Sequence, residues 1–284
     1  MRMRLTATSL FVFCFLGATA LLAQGNPDWH RDFPAFKIPG DLYYVGTADL
    51  AVYLVNTPQG NILINSDFKE DVPAIKKSIE QLGFKYGDTK IILISHAHGD
   101  HDEATGLIQK ETGAKLMVMD GDVREEESTA PGRPGARVDR VLHDGDKVEL
   151  GGATLVAHLT PGHTKGCTTW TLQVREGVRT LNAVIIGSPN VNPGYVLVGN
   201  NNYPEIAQDY VKTFAVLRSL PCDLFLGAHG GYFGLAAKYA KVKAGGANPF
   251  IDPEGYKAYV EERNQSFQKE WAWQKASPGS PARP

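Results

Sequence analysis

One apolar run ends directly in three histidines and an aspartate: Ile91-Ile92-Leu93-Ile94-Ser95-His96-Ala97-His98-Gly99-Asp100-His101. The apolar part reads as a buried strand, and nitrogen and oxygen donors crowded at its end are what a soluble protein uses to hold a metal ion. Residues two apart in extended backbone project to one side, so His96 and His98 can converge on a single ion. Gly99 then permits a bend that carries Asp100 and His101 round to a second point, ahead of a helix for which Asp102 is the expected N-terminal cap. Two adjoining metal positions follow. Several imidazoles with few carboxylates suit borderline-soft zinc, whereas magnesium or calcium would demand mostly oxygen.

Four side chains cannot fill two coordination spheres, so further ligands are expected downstream. Residues 153–164 read as a strand ending at Thr160-Pro161-Gly162-His163-Thr164, and residues 223–231 as an apolar run ending at Gly227-Ala228-His229-Gly230-Gly231. Taken singly, His163 or His229 would be an ordinary turn or core residue. Beside the first cluster, a shared site is the better reading.

With these segments in hand, the chain resembles the metallo-β-lactamase superfamily over nearly all of its length after the N-terminal segment. The runs Gly166-Cys167-Thr168-Thr169-Trp170 and 248–256 are similar to those of the third subclass of class B β-lactamases, whose zinc ligands are mostly histidine. The resemblance implies that His96, His98 and His163 hold one zinc, and that Asp100, His101 and His229 hold the other. The superfamily hosts thioester hydrolases, lactonases and nucleases as well, so fold does not choose the substrate. Many of those relatives place a bridging aspartate at the end of a strand between the third and last histidines. Here that strand, residues 183–187, ends in Ser188-Pro189-Asn190, with no carboxylate. Serine at this step is what the third subclass implies. The family often has a second serine two places on that helps hold the substrate carboxylate; Asn190 stands there, and its amide can still donate. Ser188 and Asn190 are therefore the expected substrate contacts. An Asp-Gly-Gly-like turn of many relatives is replaced by Asn65-Ser66-Asp67, which puts a supporting role for that turn in doubt.

The reaction expected is hydrolysis of the β-lactam amide. Zinc lowers the pKa of bound water to about 7, which makes hydroxide available to attack the lactam carbonyl. Asp100 would orient that nucleophile and move a proton, and the second zinc would stabilise the nitrogen anion. The alternatives are a lactonase or other ester hydrolase on the same fold, and a non-catalytic zinc-binding periplasmic protein.

The elements that must position these groups read as an α/β fold, a four-layer αββα sandwich rather than a doubly wound sheet. Residues 42–65 give short strands broken at Thr57-Pro58-Gln59-Gly60, a hairpin signal. Val72, Ile75, Ile79 and Leu82 recur at helical spacing between Pro73 and Gly83, and further helices are expected at 103–112, 204–220 and 253–273. Strands are expected at 115–119, 154–159, 168–174 and 183–186. The polar stretch 121–137 is a long loop that either flanks the cleft or runs over the surface. Tyr195 is expected to serve packing more than the cleft. His30 and His143 read as surface residues, and His158 as part of the sheet.

At 284 residues and 43% hydrophobic content, the chain can bury one large core. Arg2 and Arg4, the apolar run 10–16 and the small residues at 18–20 and Ala23 read as a secretory signal over residues 1–23. The apolar run falls short of the ~20 residues a spanning helix needs, so no stable membrane anchor is expected and the mature protein is periplasmic or secreted. Loss of two arginines with the signal takes the formal charge from −2 to −4. Nothing in that balance points to nucleic acid; the partner expected is a small-molecule β-lactam. A single domain is expected over 24–276, with a mobile tail at 277–284. Cys167 and Cys222 remain, and an oxidising compartment leaves their pairing open.

Overall fold

A computed structural model describes residues 26–277 and 280–283, so the expected signal lies outside the described residues. The first half runs β1 Phe36–Lys37, β2 Leu42–Tyr44, β3 Tyr53–Thr57, β4 Gly60–Ile64, α1 Val72–Gln81, β5 Thr89–Leu93, α2 Gly99–Asp102, α3 Thr105–Thr112, β6 Lys115–Met119, α4 Val123–Glu126 and β7 Val138–Leu142. It continues with β8 Lys147–Leu150, β9 Ala153–Leu159, β10 Thr168–Glu176, β11 Arg179–Ile186, α5 Ile206–Ser219, β12 Leu224–Gly227, α6 Gly230–Phe233, α7 Leu235–Ala244 and α8 Pro253–Ala276.

Two sheets result. One has the order β1-β2-β3-β4-β5-β6-β7, antiparallel as far as β4 and parallel beyond it. The other has the order β12-β11-β10-β9-β8, antiparallel except for the β11–β12 pair. Period-2 geometry explains why β5 is an unbroken apolar run. Ile91 and Leu93 enter the core between the sheets with Tyr53, Ile64, Trp170 and Ile185. Ile92 and Ile94 enter a second core with Ile75 and Ile79 of α1 and Ile108 of α3. A strand covered on both faces has no polar alternation to show. On the far side, Phe214 and Leu217 of α5 and Phe267 of α8 close over the second sheet. The layers are helix, sheet, sheet, helix, as expected.

The hairpin at 57–60 is present, with Thr57 opposite Gly60 across a two-residue loop. In α1 the buried Val72, Ile75 and Ile79 line one face, with Pro73 in the first turn and Gly83 at φ +88° just past the end. Other expectations need correction. The helix expected at 103–112 is α3, closed at Gly113; the single turn α2 precedes it, and Asp102, expected as a cap, lies inside α2. Its carboxylate is fully buried with no hydrogen-bond partner, so it caps nothing. The loop 121–137 holds the single turn α4. Within the expected tail, Ala282 pairs with the body of the chain: Gly194 N donates to Ala282 O at 2.9 Å and Ala282 N to Tyr195 O at 2.7 Å. Cys167 and Cys222 are both free thiols. Among the described residues, no helix is long and apolar enough to cross a membrane.

Candidate metal centre

The ligand-bearing loops all emerge where strands end, and buried polar groups pin them. After β5 the chain does not stay extended: His98 N donates to His96 O at 3.0 Å, a tight turn that aims the two rings at one point. Ser95 N donates to Asn65 Oδ1 at 2.8 Å, and Asn65 Nδ2 donates to Ala51 O at 3.0 Å. Asn65 and Asp67 adopt φ of +67° and +54°, a left-handed conformation that Asn and Asp tolerate better than most residues. Ser66 N donates to His101 O at 2.9 Å. The 65–67 turn thus supports the ligand loop, contrary to the doubt raised by its sequence. Thr168 N donates to Ser95 O at 2.7 Å and Trp170 Nε1 to Ile94 O at 3.0 Å, locking the first ligand loop to the second sheet.

Asp122 joins two ligand loops through one buried carboxylate. Ala97 N and the Thr164 hydroxyl donate to its Oδ2 at 2.9 and 2.7 Å, and Gly166 N donates to its Oδ1 at 2.8 Å. Ala97 lies between two histidines of the cluster and Thr164 follows a third. A Cβ on Gly166 would come within 2.6 Å of Asp122 N, so only glycine permits this approach. No spacing or periodicity in the sequence marks Asp122, and it was missed.

The donors fall into two adjoining groups. His96, His98 and His163 offer ligand atoms that lie within 4.8 Å of one another, and so do His96, Asp100 and His101. His98 Nδ1 and His163 Nε2 are 3.1 Å apart. His229 closes the second group from the other side: its Nε2 is 3.0 Å from His101 Nε2 and 3.5 Å from Asp100 Oδ2, and Asp100 Oδ2 is 3.3 Å from His101 Nε2. The direct distances therefore place His229 with Asp100 and His101, while His96 stands between the groups. All six expected ligands converge.

Hydrogen bonds decide which nitrogens remain free. His163 Nδ1 lies 2.8 Å from Asn190 O, an acceptor only, so Nδ1 carries the proton and Nε2 presents a lone pair. His229 Nδ1 lies 3.0 Å from Asp49 Oδ2, which fixes its tautomer the same way. Asp49 also accepts from Gly231 N at 2.9 Å and Trp29 Nε1 at 3.2 Å. Like Asp122, it carried no sequence signal. Burial lowers His96 well below the ordinary imidazole value and His101 below it, and takes His98 to about 4 and His163 to about 3. Burial alone would raise the Asp100 carboxyl, but His101, then His229 and His98, hold it well below the usual carboxylate range. Neutral imidazoles with converging lone pairs around one carboxylate are the donor set of a metal site, and a cation between them would relieve the close nitrogen pairs.

An open cleft of about 560 Å³ lies over the ligands, bounded by Tyr195, Asn190 and Tyr232 among others. A larger cavity of about 670 Å³, on the outer side of the second sheet, shares no residue with the donors and carries no metal chemistry. Tyr195 borders the cleft after all: its hydroxyl donates to His163 O at 2.7 Å. Asn190 lines it as expected. Ser188 does not: it is 1% exposed, and its hydroxyl lies 3.1 Å from that of Tyr232, to which Asn190 Nδ2 donates at 2.9 Å. Ser188 therefore supports the wall instead of touching a substrate.

A family model described as the metallo-β-lactamase superfamily matches residues 50–229. The native FEZ-1 metallo-β-lactamase from Legionella gormanii is 51% identical, with 88% of this chain and 98% of that one covered at a TM-score of 0.83. BJP-1, a subclass B3 metallo-β-lactamase of Bradyrhizobium japonicum, is 38% identical over 88% and 98% at 0.82. The class B3 di-zinc enzyme LRA-12, from an Alaskan soil metagenome, is 34% identical over 86% and 97% at 0.81. Among curated proteins, the lactamase-like protein adaB of Aspergillus niger is 27% identical over 68% of this chain, which spans about half (52%) of that relative's length. Two sheets between helices, a histidine-rich donor set at the strand ends and these likenesses agree: the chain belongs to the metallo-β-lactamase superfamily and is similar to its subclass B3 enzymes.

Proposed function

We propose that the chain hydrolyses the amide of β-lactam rings, with two zinc ions in the donor cluster and Asp100 as the group that handles the proton. The observation that carries this reading is the pairing of two histidine-dominated donor groups with a buried serine, not a carboxylate, after β11. Five imidazoles and one carboxylate suit zinc, with His96, His98 and His163 in one set and Asp100, His101 and His229 in the other. Bound zinc supplies a water acidified to about pKa 7 and a Lewis acid for developing negative charge.

The chain's own side chains do the rest. Asp49 and the Asn190 carbonyl fix the tautomers of His229 and His163, so their Nε2 atoms face the centre. Asp100, ionised at neutral pH and partly open to the cleft, can accept a hydrogen bond from the attacking water and take its proton. Asn190 lines the cleft, held by its Nδ2 bond to Tyr232, and its amide is the group expected to donate to a substrate carboxylate, directly or through water. Trp29 and Tyr195 form apolar walls that orient the ring and thin out bulk water.

Similarity to hydroxyacylglutathione hydrolase of Rhodopseudomonas palustris, 25% identical over 66% of this chain and 65% of that one, keeps ester hydrolysis as the second reading. The buried Ser188 at the bridging position disfavours it. Turnover of a penicillin, a carbapenem and an acyl lactone by the purified protein separates these readings: ring opening of the β-lactams is expected. Opening of the lactone alone would overturn the first, and binding without turnover would leave a non-catalytic zinc protein. Export to the periplasm or medium belongs to the same proposal and rests on the order of residues 1–23. Cell fractionation tests it.

A further inference from the structure

The metal cleft has no lysine or arginine in its lining and carries the carboxylates of Asp49 and Asp100. β-Lactams are anionic, and many carry a second carboxylate on the acyl side chain. Such a group, remote from the scissile amide, finds no cationic side chain in this cleft.

The cleft does not end at Tyr232. A second open compartment of about 660 Å³ adjoins it and shares Asn190, Gly231 and Tyr232 as a common wall. Its other side is α8, from which Tyr259, Glu262 and Arg263 face the space. Arg263 is the one arginine or lysine lining either compartment among the described residues. Its guanidinium lies 5.9 Å from the Tyr259 ring centroid, a cation–π approach that orients it. One terminal nitrogen pairs with Glu262, while Nε is buried with no hydrogen-bond partner in the chain. The Tyr259 hydroxyl lies beside the Asn190 side chain on the same wall. The partly exposed guanidinium therefore keeps hydrogen-bonding capacity that its pair with Glu262 does not use. The competing carboxylate is weakly committed: the Glu262 side chain is 64% exposed against 30% for Arg263, and such exposed pairs contribute little. A ligand carboxylate can replace it and engage the guanidinium fork with both oxygens.

We propose that this compartment is a subsite for an anionic substituent of the substrate, with Arg263 receiving a side-chain carboxylate and Tyr259 supporting the guanidinium. The assignment rests on the β-lactamase reading, and the test separates the two. Benzylpenicillin and carbenicillin differ by one carboxylate on the acyl side chain. Both are to be turned over by the metal-loaded wild type, Arg263→Met and Arg263→Lys. The expected result is a rise of about tenfold in KM for carbenicillin in Arg263→Met, the worth of one charge-assisted contact, with kcat nearly unchanged and partial rescue by Arg263→Lys. Benzylpenicillin should stay within about twofold and serves as the check that the variant is folded. An equal change for both substrates, or for neither, overturns the subsite alone. Failure of the wild type to open either penicillin overturns the β-lactamase reading and the subsite with it.

Discussion

Asp122 ties together two loops that carry the donor cluster, and Asp49 fixes the His229 ring, while neither belongs to the cluster. Asp122→Ala leaves Ala97 N, the Thr164 hydroxyl and Gly166 N without their acceptor. Each buried donor so stranded costs about 1–3 kcal/mol, so a clear drop in the urea midpoint is expected, with Asp122→Asn intermediate because one acceptor oxygen survives. Asp49→Asn should leave the fold intact but weaken binding at the His229 side by about 10–100-fold, as loss of a ligand's hydrogen-bond partner generally does. Competition with a chromophoric chelator measures it; unchanged affinity would remove Asp49 from the site. Four of the six donors were legible because ligand types crowd one strand end, and His163 and His229 because each follows a strand end of the same kind and matches the superfamily pattern. Their supports were not: Asp49 and Asp122 are single carboxylates far from the ligands in sequence, and only the fold brings them near. Ser188 shows the converse, a position singled out as a substrate contact whose side chain is turned away from the cleft.

Elements with a buried face announced themselves, and those at wet edges did not. The core strands β3 to β6 and the helices α1, α5 and α8 follow apolar periodicity, and their expected bounds are close to those observed. The strands β7 and β8 went unread because they are the outer strands of their sheets, where Asp139, Arg140, Lys147 and Glu149 break any apolar pattern. The short α4 hides a buried acid. Burial, then the charge of Asp102, raises Glu126 well above its ordinary 4.5. The folded chain therefore binds this proton more tightly than the unfolded chain, and the stability it contributes is fully present below about 4.5 and lost as pH climbs through the folded value. Glu126→Gln has no such titration. Its Tm relative to wild type should rise steadily between about pH 5 and pH 8, whereas a constant difference across that range would contradict the assignment.

Across the whole molecule, two sheets between helices bring three strand-end loops to one rim, and metal binding should tie those loops together. Both thiols are free, so a reductant should leave the melting temperature of the loaded protein unchanged within about 1 °C; a large drop would reveal a disulfide. Metal bound only by the folded state should raise that temperature, by an amount that grows with free zinc. One centre, built from His96, His98, His163, Asp100, His101 and His229, is proposed to bind zinc and open β-lactam rings. The most direct measurement is penicillin and carbapenem hydrolysis by the loaded protein, after exhaustive chelation, and after zinc is restored. Hydrolysis should vanish on chelation and return with zinc; hydrolysis that survives complete removal of the metal would rule zinc out of the reaction.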